Sequence, residues 1–227
     1  MVQPEKPARR RELSRTRILE MAVSLADASG LEAISMRKLA AALDVEAMSL
    51  YNHVANKEDL LDGMIERVIG EITLPIVGHD WKDQMRRRCH SARQVFLAHP
   101  WAPLLVVGRI SVGPAMLRYI DRTVGCFISA GFGIADADRA WNAVDSQVYG
   151  FVLQELNFPI AESEYANAAA SFLPMINQSE LPHMHAMSVL VATRQYSGLH
   201  DFDFGLNLML DGLERMLAGS GELAGRQ

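Results

Sequence analysis

The strongest constraint on this chain of 227 residues is the spacing of its apolar side chains, which return every three or four positions along nearly its whole length. A helix brings positions three and four apart onto one face, whereas a strand needs strict alternation, and no run of alternation persists between turn signals. The chain therefore reads as all-α. Ser14 is placed to cap a first helix over 14–28 with Ile18, Ala22 and Leu25 inward, and Gly30 to stop it. Ser35 opens a short helix over Met36–Leu43, and a third helix is expected from near Glu46 to near His53. A longer helix begins at Lys57 and carries Leu60, Leu61, Met64, Ile65, Val68 and Ile72. Beyond Pro75 and Gly78 the pattern predicts helices over 80–99, 101–107, 114–130, 136–156, 183–197 and 201–218. A further single helix at Glu162–Leu173 lies in a segment broken by Pro159, Pro174 and Pro182.

With 49 % hydrophobic and 22 % charged residues the chain can bury a substantial core. It contains no run of 18 apolar residues and no apolar signal core after Met1, so a cytoplasmic protein without a membrane contact is expected. Cys89 and Cys126 are too few for a disulfide framework and are expected to sit reduced in the interior. A net charge of −5 argues against a nucleic-acid partner until it is resolved along the chain. Residues 1–17 hold six basic side chains (Lys6, Arg9, Arg10, Arg11, Arg15, Arg17) against Glu5 and Glu12. Through Lys57 the chain is net positive, and the remainder carries all of the acidic excess.

The segment SMRKLAAALDVEAMSLYNHVANK, residues 35–57, has the shape of a helix-turn-helix: a short capped helix, a turn of about four residues, and a second helix with one apolar anchor. Ala40 is small where the helices cross, Val45 plugs the turn, and Leu50 is the inward residue of the second helix. The other face, Ala47, Met48, Ser49, Tyr51, Asn52 and His53, is left outward, and a face carrying Met, Tyr and His has little reason to exist as solvated surface. Such a unit inserts its second helix into the major groove, so the partner is expected to be double-stranded DNA.

These residues resemble the DNA-binding signature of the TetR family of transcriptional repressors, above all in LYNHVANKEDLL, with Tyr51, Val54, Lys57, Leu60 and Leu61 at the family's positions. Asp44 departs from it, standing where the family usually has Gly; Asp tolerates a left-handed backbone better than most residues. The runs HDWKDQMRRRCHSARQVFLAHP, VYGFVLQE and FDFGLNLMLDGLERML resemble the C-terminal domain of the tetracycline-repressor subclass. The resemblance implies an N-terminal three-helix helix-turn-helix domain with a basic arm over 1–60. It also implies a helical-bundle regulatory and dimerisation domain over 61–227, and a homodimer joined through the helices near 136–156 and 201–218. On the last of these, Phe202, Leu206, Met209, Leu213 and Leu217 form one stripe, with Gly205 and Gly212 permitting close approach.

Carried over residue by residue, the resemblance makes Arg37 the reader of a guanine edge, through the match of its fork to O6 and N7. Ala47, Met48 and Ser49 would meet base edges and thymine methyls, while Tyr51, His53 and Lys57 would hold phosphates beside Asn52. Arg9 to Arg17 would add salt-sensitive attraction. The implied effector pocket takes its lining from Phe96, Trp101, Leu105, Met116, Tyr119, Trp141 and Tyr149, with Arg88, Arg109 and Asp145 as polar contacts. An aromatic or amphipathic effector suits such a lining. The His and acidic positions through which tetracycline repressors hold drug-bound magnesium fall at Val106 and Gln154, which cannot serve as charged metal ligands.

No cofactor or metal is expected: one Glu-x-x-His pair, Glu180 and His183, is interrupted by Pro182. With no Gly-x-Ser-x-Gly and no phosphate-binding Gly-rich loop, the chain is not expected to be an enzyme. The reading is a ligand-responsive repressor that binds a palindromic operator as a homodimer. The alternatives are an activator of the same fold or an all-helical enzyme built on a His/Asp pair.

Overall fold

The structure is a computed structural model that describes residues 12–197 and 201–224. Among the described residues there are eleven α-helices, two 3₁₀ turns (Leu31–Ala33 and Leu173–Met175) and no strand, so the chain is all-α. It divides into two compact units, Met1–Ala130 and Gly131–Gln227.

The first unit holds α1 (Arg15–Ser29), α2 (Met36–Leu43), α3 (Ala47–Leu50), α4 (Lys57–Ile69), α5 (Trp81–Ala98), α6 (Ala102–Val107) and α7 (Pro114–Ser129). The predicted caps form. Ser14 Oγ accepts the Arg17 N–H at 3.3 Å, Ser35 Oγ accepts the Lys38 N–H at 3.3 Å, and Gly30, at φ +77°, closes α1 with its own N–H on the Ala26 carbonyl. Each Ser satisfies one of the four N–H groups that a helix start leaves unpaired. Asn56 and Asp80 do the same for α4 and α5 through Asp59 and Asp83. α4 ends at Ile69 rather than reaching Ile72: the Gly70 N–H returns to the Glu66 carbonyl, and Ile72 stays buried in the turn that follows. Ile18, Leu39, Ala40, Leu43, Leu50, Val54, Leu60 and Met64 are all buried and form a core shared by α1 to α4. Cys89 and Cys126 are buried free thiols whose pKa burial raises, Cys126 to about 11.

α4 is also fastened to α7. The Glu66 carboxylate accepts the backbone N–H groups of Ala115 (2.6 Å) and Met116 (3.1 Å), capping the N-terminus of α7 from a neighbouring helix.

The second unit holds α8 (Ile134–Asn157), α9 (Glu162–Phe172), α10 (Pro182–Ala192) and α11 (Phe202–Ala224). α8 packs on α11, where Phe151 and Phe202 meet edge-on at 5.1 Å between ring centroids. A Cβ at Gly205 would lie 2.4 Å from Gln147 Nε2, so this glycine admits α8 of the same chain. Of the stripe expected to face a partner, Phe202 and Leu206 are buried while Met209, Leu213 and Leu217 are half-buried; Leu210 is buried too, and the large apolar residues left outward on α11 are Phe204, Leu208 and Met216. α9 and α10 pack against each other, joined through the 3₁₀ turn Leu173–Met175. α10 stops at Ala192, five residues before its expected end, because Arg194 turns left-handed (φ +59°) and lets the Gln195 N–H close on the Leu190 carbonyl at 2.9 Å. Among the described residues no helix is long and apolar enough to cross a membrane.

Candidate nucleic-acid interface

The turn between α2 and α3 depends on one backbone conformation. Asp44 lies at φ 55°, ψ 50°, in the left-handed region, and there the Val45 N–H reaches the Ala40 carbonyl at 3.0 Å. Val45 is half-buried in the turn, and Leu50 and Ala40 are buried beneath it. α3 is a single turn, shorter than the expected 46–53. Residues 51–53 continue it as a hydrogen-bonded turn, in which the His53 and Val54 N–H groups both return to the Leu50 carbonyl.

Arg37, Met48, Tyr51, Asn52 and Lys57 are exposed, and Ala47, Ser49 and His53 are half-buried. Met48 is 73 % exposed. A thioether chain with that exposure on a one-turn helix covers no core of its own.

One arrangement was invisible to pattern reasoning. Arg15 was grouped with the DNA-attracting arm, but its guanidinium grips both carboxylate oxygens of Asp59 (2.6 and 2.8 Å) and donates to the His53 carbonyl at 2.9 Å. Asp59 also accepts the Ala55 N–H at 2.8 Å. The start of α1, the loop after α3 and the first turn of α4 are thereby tied at one point. The Arg15 hydrogen bonds hold the Asp59 carboxyl below the usual range, and Asp59 raises Arg15 in return. The only signal in the sequence was an acidic residue in the first turn of α4. Arg9, Arg10 and Arg11 lie outside the described residues.

The expected effector residues separate into several environments. Arg88 on α5 and Tyr119 on α7 are fully buried; Arg88 Nη2 donates to the Tyr119 hydroxyl at 2.5 Å, and the guanidinium sits 4.7 Å from the ring centroid. Burial pushes the Tyr119 phenol up to about 12, so it stays neutral. Phe96 and Met116 are buried on the same two helices. Arg109 instead binds α4, pairing with Glu58 (2.5 Å) and Asp62 (2.8 Å), which raise its pKa in that order. Trp101 and Leu105 line a cleft against the end of α1, where the Trp101 indole N–H donates to Asp27 at 2.7 Å. Trp141, Asp145 and Tyr149 lie on α8 in the second unit, and Trp141 Nε1 donates to Asp145 at 2.7 Å one turn away. Val106 is buried on α6 and Gln154 is exposed on α8. Among the described residues no three His, Cys, Asp or Glu side chains gather as a metal site.

A capped helix, a left-handed turn and a short exposed helix over one shared core define a helix-turn-helix regulator of transcription. Comparison with known proteins places it more narrowly. Residues 18–64 match the bacterial regulatory proteins of the tetR family, and residues 74–217 match the tetracyclin repressor-like C-terminal domain. The chain belongs to the TetR family of transcriptional regulators. It is 40 % identical over 154 residues to an HTH-type transcriptional regulator of Saccharopolyspora erythraea, covering 67 % of this chain and 65 % of that protein. It is 29 % identical over 213 residues to the HTH-type transcriptional repressor DrrR1 of Streptomyces coeruleorubidus, covering 91 % and 79 % of the two. Among solved structures it is similar to ActR of Streptomyces coelicolor in complex with actinorhodin, with a TM-score of 0.76 and 29 % identity over 92 % of this chain and 99 % of that one.

Proposed function

We propose that this regulator is a repressor that binds an inverted-repeat operator as a homodimer and leaves it when a small aromatic or amphipathic effector binds. The observation that carries the DNA-binding half is the exposed face around Met48 and Tyr51, held out over a complete core. In this reading 1–60 is the DNA-binding part and 61–227 the sensing and dimerising part. Arg37 reads a guanine, Ala47, Met48 and Ser49 meet base edges, and Tyr51, Asn52, His53 and Lys57 address the backbone. DrrR1, described as a repressor, supports the sign of the regulation, and ActR, solved with actinorhodin, supports an aromatic effector.

The effector part rests on the Arg88–Tyr119 pair, a buried cation and a neutral phenol able to bind the polar group of an otherwise apolar molecule. Trp141, Asp145 and Tyr149 of α8 are carried as effector contacts on the family resemblance alone. Release requires the effector to prefer the shape that does not fit DNA. α4 is suited to carry the change: it begins beside the helix-turn-helix, holds Arg109 through Glu58 and Asp62, and caps α7 through Glu66.

The test is a mobility-shift titration against an inverted repeat from the gene's own upstream region. Wild type should retard it, and Arg37→Ala should bind about 1–3 kcal/mol more weakly with relaxed preference at one base pair per half-site. Failure to bind any such repeat at low salt removes the proposal. A loss by Arg37→Ala that is uniform across sequences makes Arg37 a phosphate contact instead. Magnesium with tetracycline should leave the wild-type complex intact; efficient release would contradict the reading of Val106 and Gln154.

A further inference from the structure

The cleft that holds Trp101 and Leu105 has a composition of its own. It lies between the C-terminal end of α1 with the following 3₁₀ turn and the junction of α5 with α6, and encloses about 550 Å³. Its apolar wall includes Leu31, Trp101, Leu104 and Leu105, and its polar groups include the carboxylates of Asp27 and Glu32. Among the described residues that line it there is no Lys, Arg or His.

Three observations set the charge of an occupant. Asp27 accepts both the Trp101 indole N–H (2.7 Å) and His99 Nδ1 (2.8 Å) through Oδ1, so Oδ2 takes part in neither bond, and the side chain is 30 % exposed. Glu32 is an exposed second carboxylate across the 3₁₀ turn. The last carbonyls of α1 also end at this cleft, adding the negative pole of the helix. The nearest cationic candidate, His99, is buried and already shared between Asp27 and Glu71 (3.2 Å). Leu104, on the apolar wall, is 64 % exposed and open to an occupant.

We propose that this cleft is a second small-molecule site, separate from the effector reading above, that takes an organic ammonium with an aromatic or alkyl body. The ammonium sits between Asp27 Oδ2 and Glu32, and the body lies along Trp101, Leu104 and Leu105. The volume falls within the ~300–1,000 Å³ of ordinary ligand pockets and is too small for a folded partner. An occupant touches α1 and α6 at once and braces one against the other.

The test uses the whole chain without DNA, so its outcome is independent of operator binding. Three probes of one shape and three charges are titrated: 1-naphthylmethylamine, 1-naphthalenemethanol and 1-naphthoate. The readout is the indole N–H resonance of Trp101, identified through Trp101→Phe, with Trp81 and Trp141 as internal references. The amine should move the Trp101 resonance saturably and bind at least tenfold more tightly than the alcohol, with the carboxylate weakest. Glu32→Gln should weaken the amine about tenfold while leaving the alcohol unchanged. Leu104→Ala, at an exposed position that folding does not depend on, should weaken amine and alcohol alike. Equal binding of the three probes, movement of Trp81 or Trp141 without Trp101, or unchanged amine binding in Glu32→Gln overturns the proposal.

Discussion

The two ends of the chain treat apolar surface in opposite ways. In α1 to α4 the apolar residues are nearly all spent on one core, and the large ones left outside, Met48 on α3 and Tyr51 just after it, stand on the outward face of the helix-turn-helix. In the second unit α9 buries none of its residues and α10 only Ser188 and Val191. Phe172, Met175, Met184, Met187, Leu190, Phe204 and Leu208 are left outward. The four N-terminal helices close their core with their own chain. In the second unit α11 keeps an apolar face that the chain does not cover, which suits the dimer interface proposed above.

The contrast breaks most visibly at α11. Phe204→Asp with Leu208→Asp should cost about 2 kcal/mol or more at each position of a dimer interface, a loss of over a hundredfold in dimer affinity read by sedimentation equilibrium. The helical signal should be unchanged, since both residues are exposed within the chain. An unaltered dimer mass would mean that this face is not the interface. At the other end Leu50→Ala should cost about 2–5 kcal/mol, because the cavity it opens lies at the centre of a completed core. Thermal melts would record that loss, and a change below 1 kcal/mol would show the core to be less complete than its burial suggests.

The Arg15–Asp59 tie sharpens the comparison on a smaller scale. Both side chains are about a third exposed or more, so Asp59→Asn should cost only about 0.2–1 kcal/mol at neutral pH. The folded-state pKa of Asp59 is depressed, so its contribution is present above the ordinary carboxylate pKa and lost as pH falls through the lower folded value. The melting difference between wild type and Asp59→Asn should therefore narrow below about pH 4. A difference that persists at pH 2.5 would assign the effect to packing. Asp44→Gly should be smallest, a gain of about a few tenths of a kcal/mol from relieving a left-handed residue. A loss in the same melts would show that the Asp44 side chain does more for the turn than its backbone strain costs.

Legibility followed the range of the interaction. Ser14, Ser35, Gly30 and the left-handed Asp44 were all readable because a cap or a turn involves atoms within about four residues of one another. The α9 helix was placed correctly at Glu162 despite three flanking prolines, for the same reason. Arg15 was misread because a basic side chain near other basic side chains looks like an arm until Asp59, 44 positions away, is brought beside it. Leu105 fell on α6 as expected and Trp101 became its N-cap, but their surroundings depend on the end of α1. Arg109 was expected at a ligand and is held by two carboxylates of α4.

What the residues determined by themselves was the helical class, the position of the helix-turn-helix and the side of α3 that faces outward, since periodicity and local hydrogen bonds fix each of these without reference to distant chain. Only the tertiary structure decided which face of α11 is used up inside its own unit. Periodicity announces that a helix has an apolar stripe and says nothing of what lies against it. Phe202 went to Phe151 of α8, Gly205 admitted Gln147, Leu206 is buried, and the face left over is the one bearing Phe204 and Leu208.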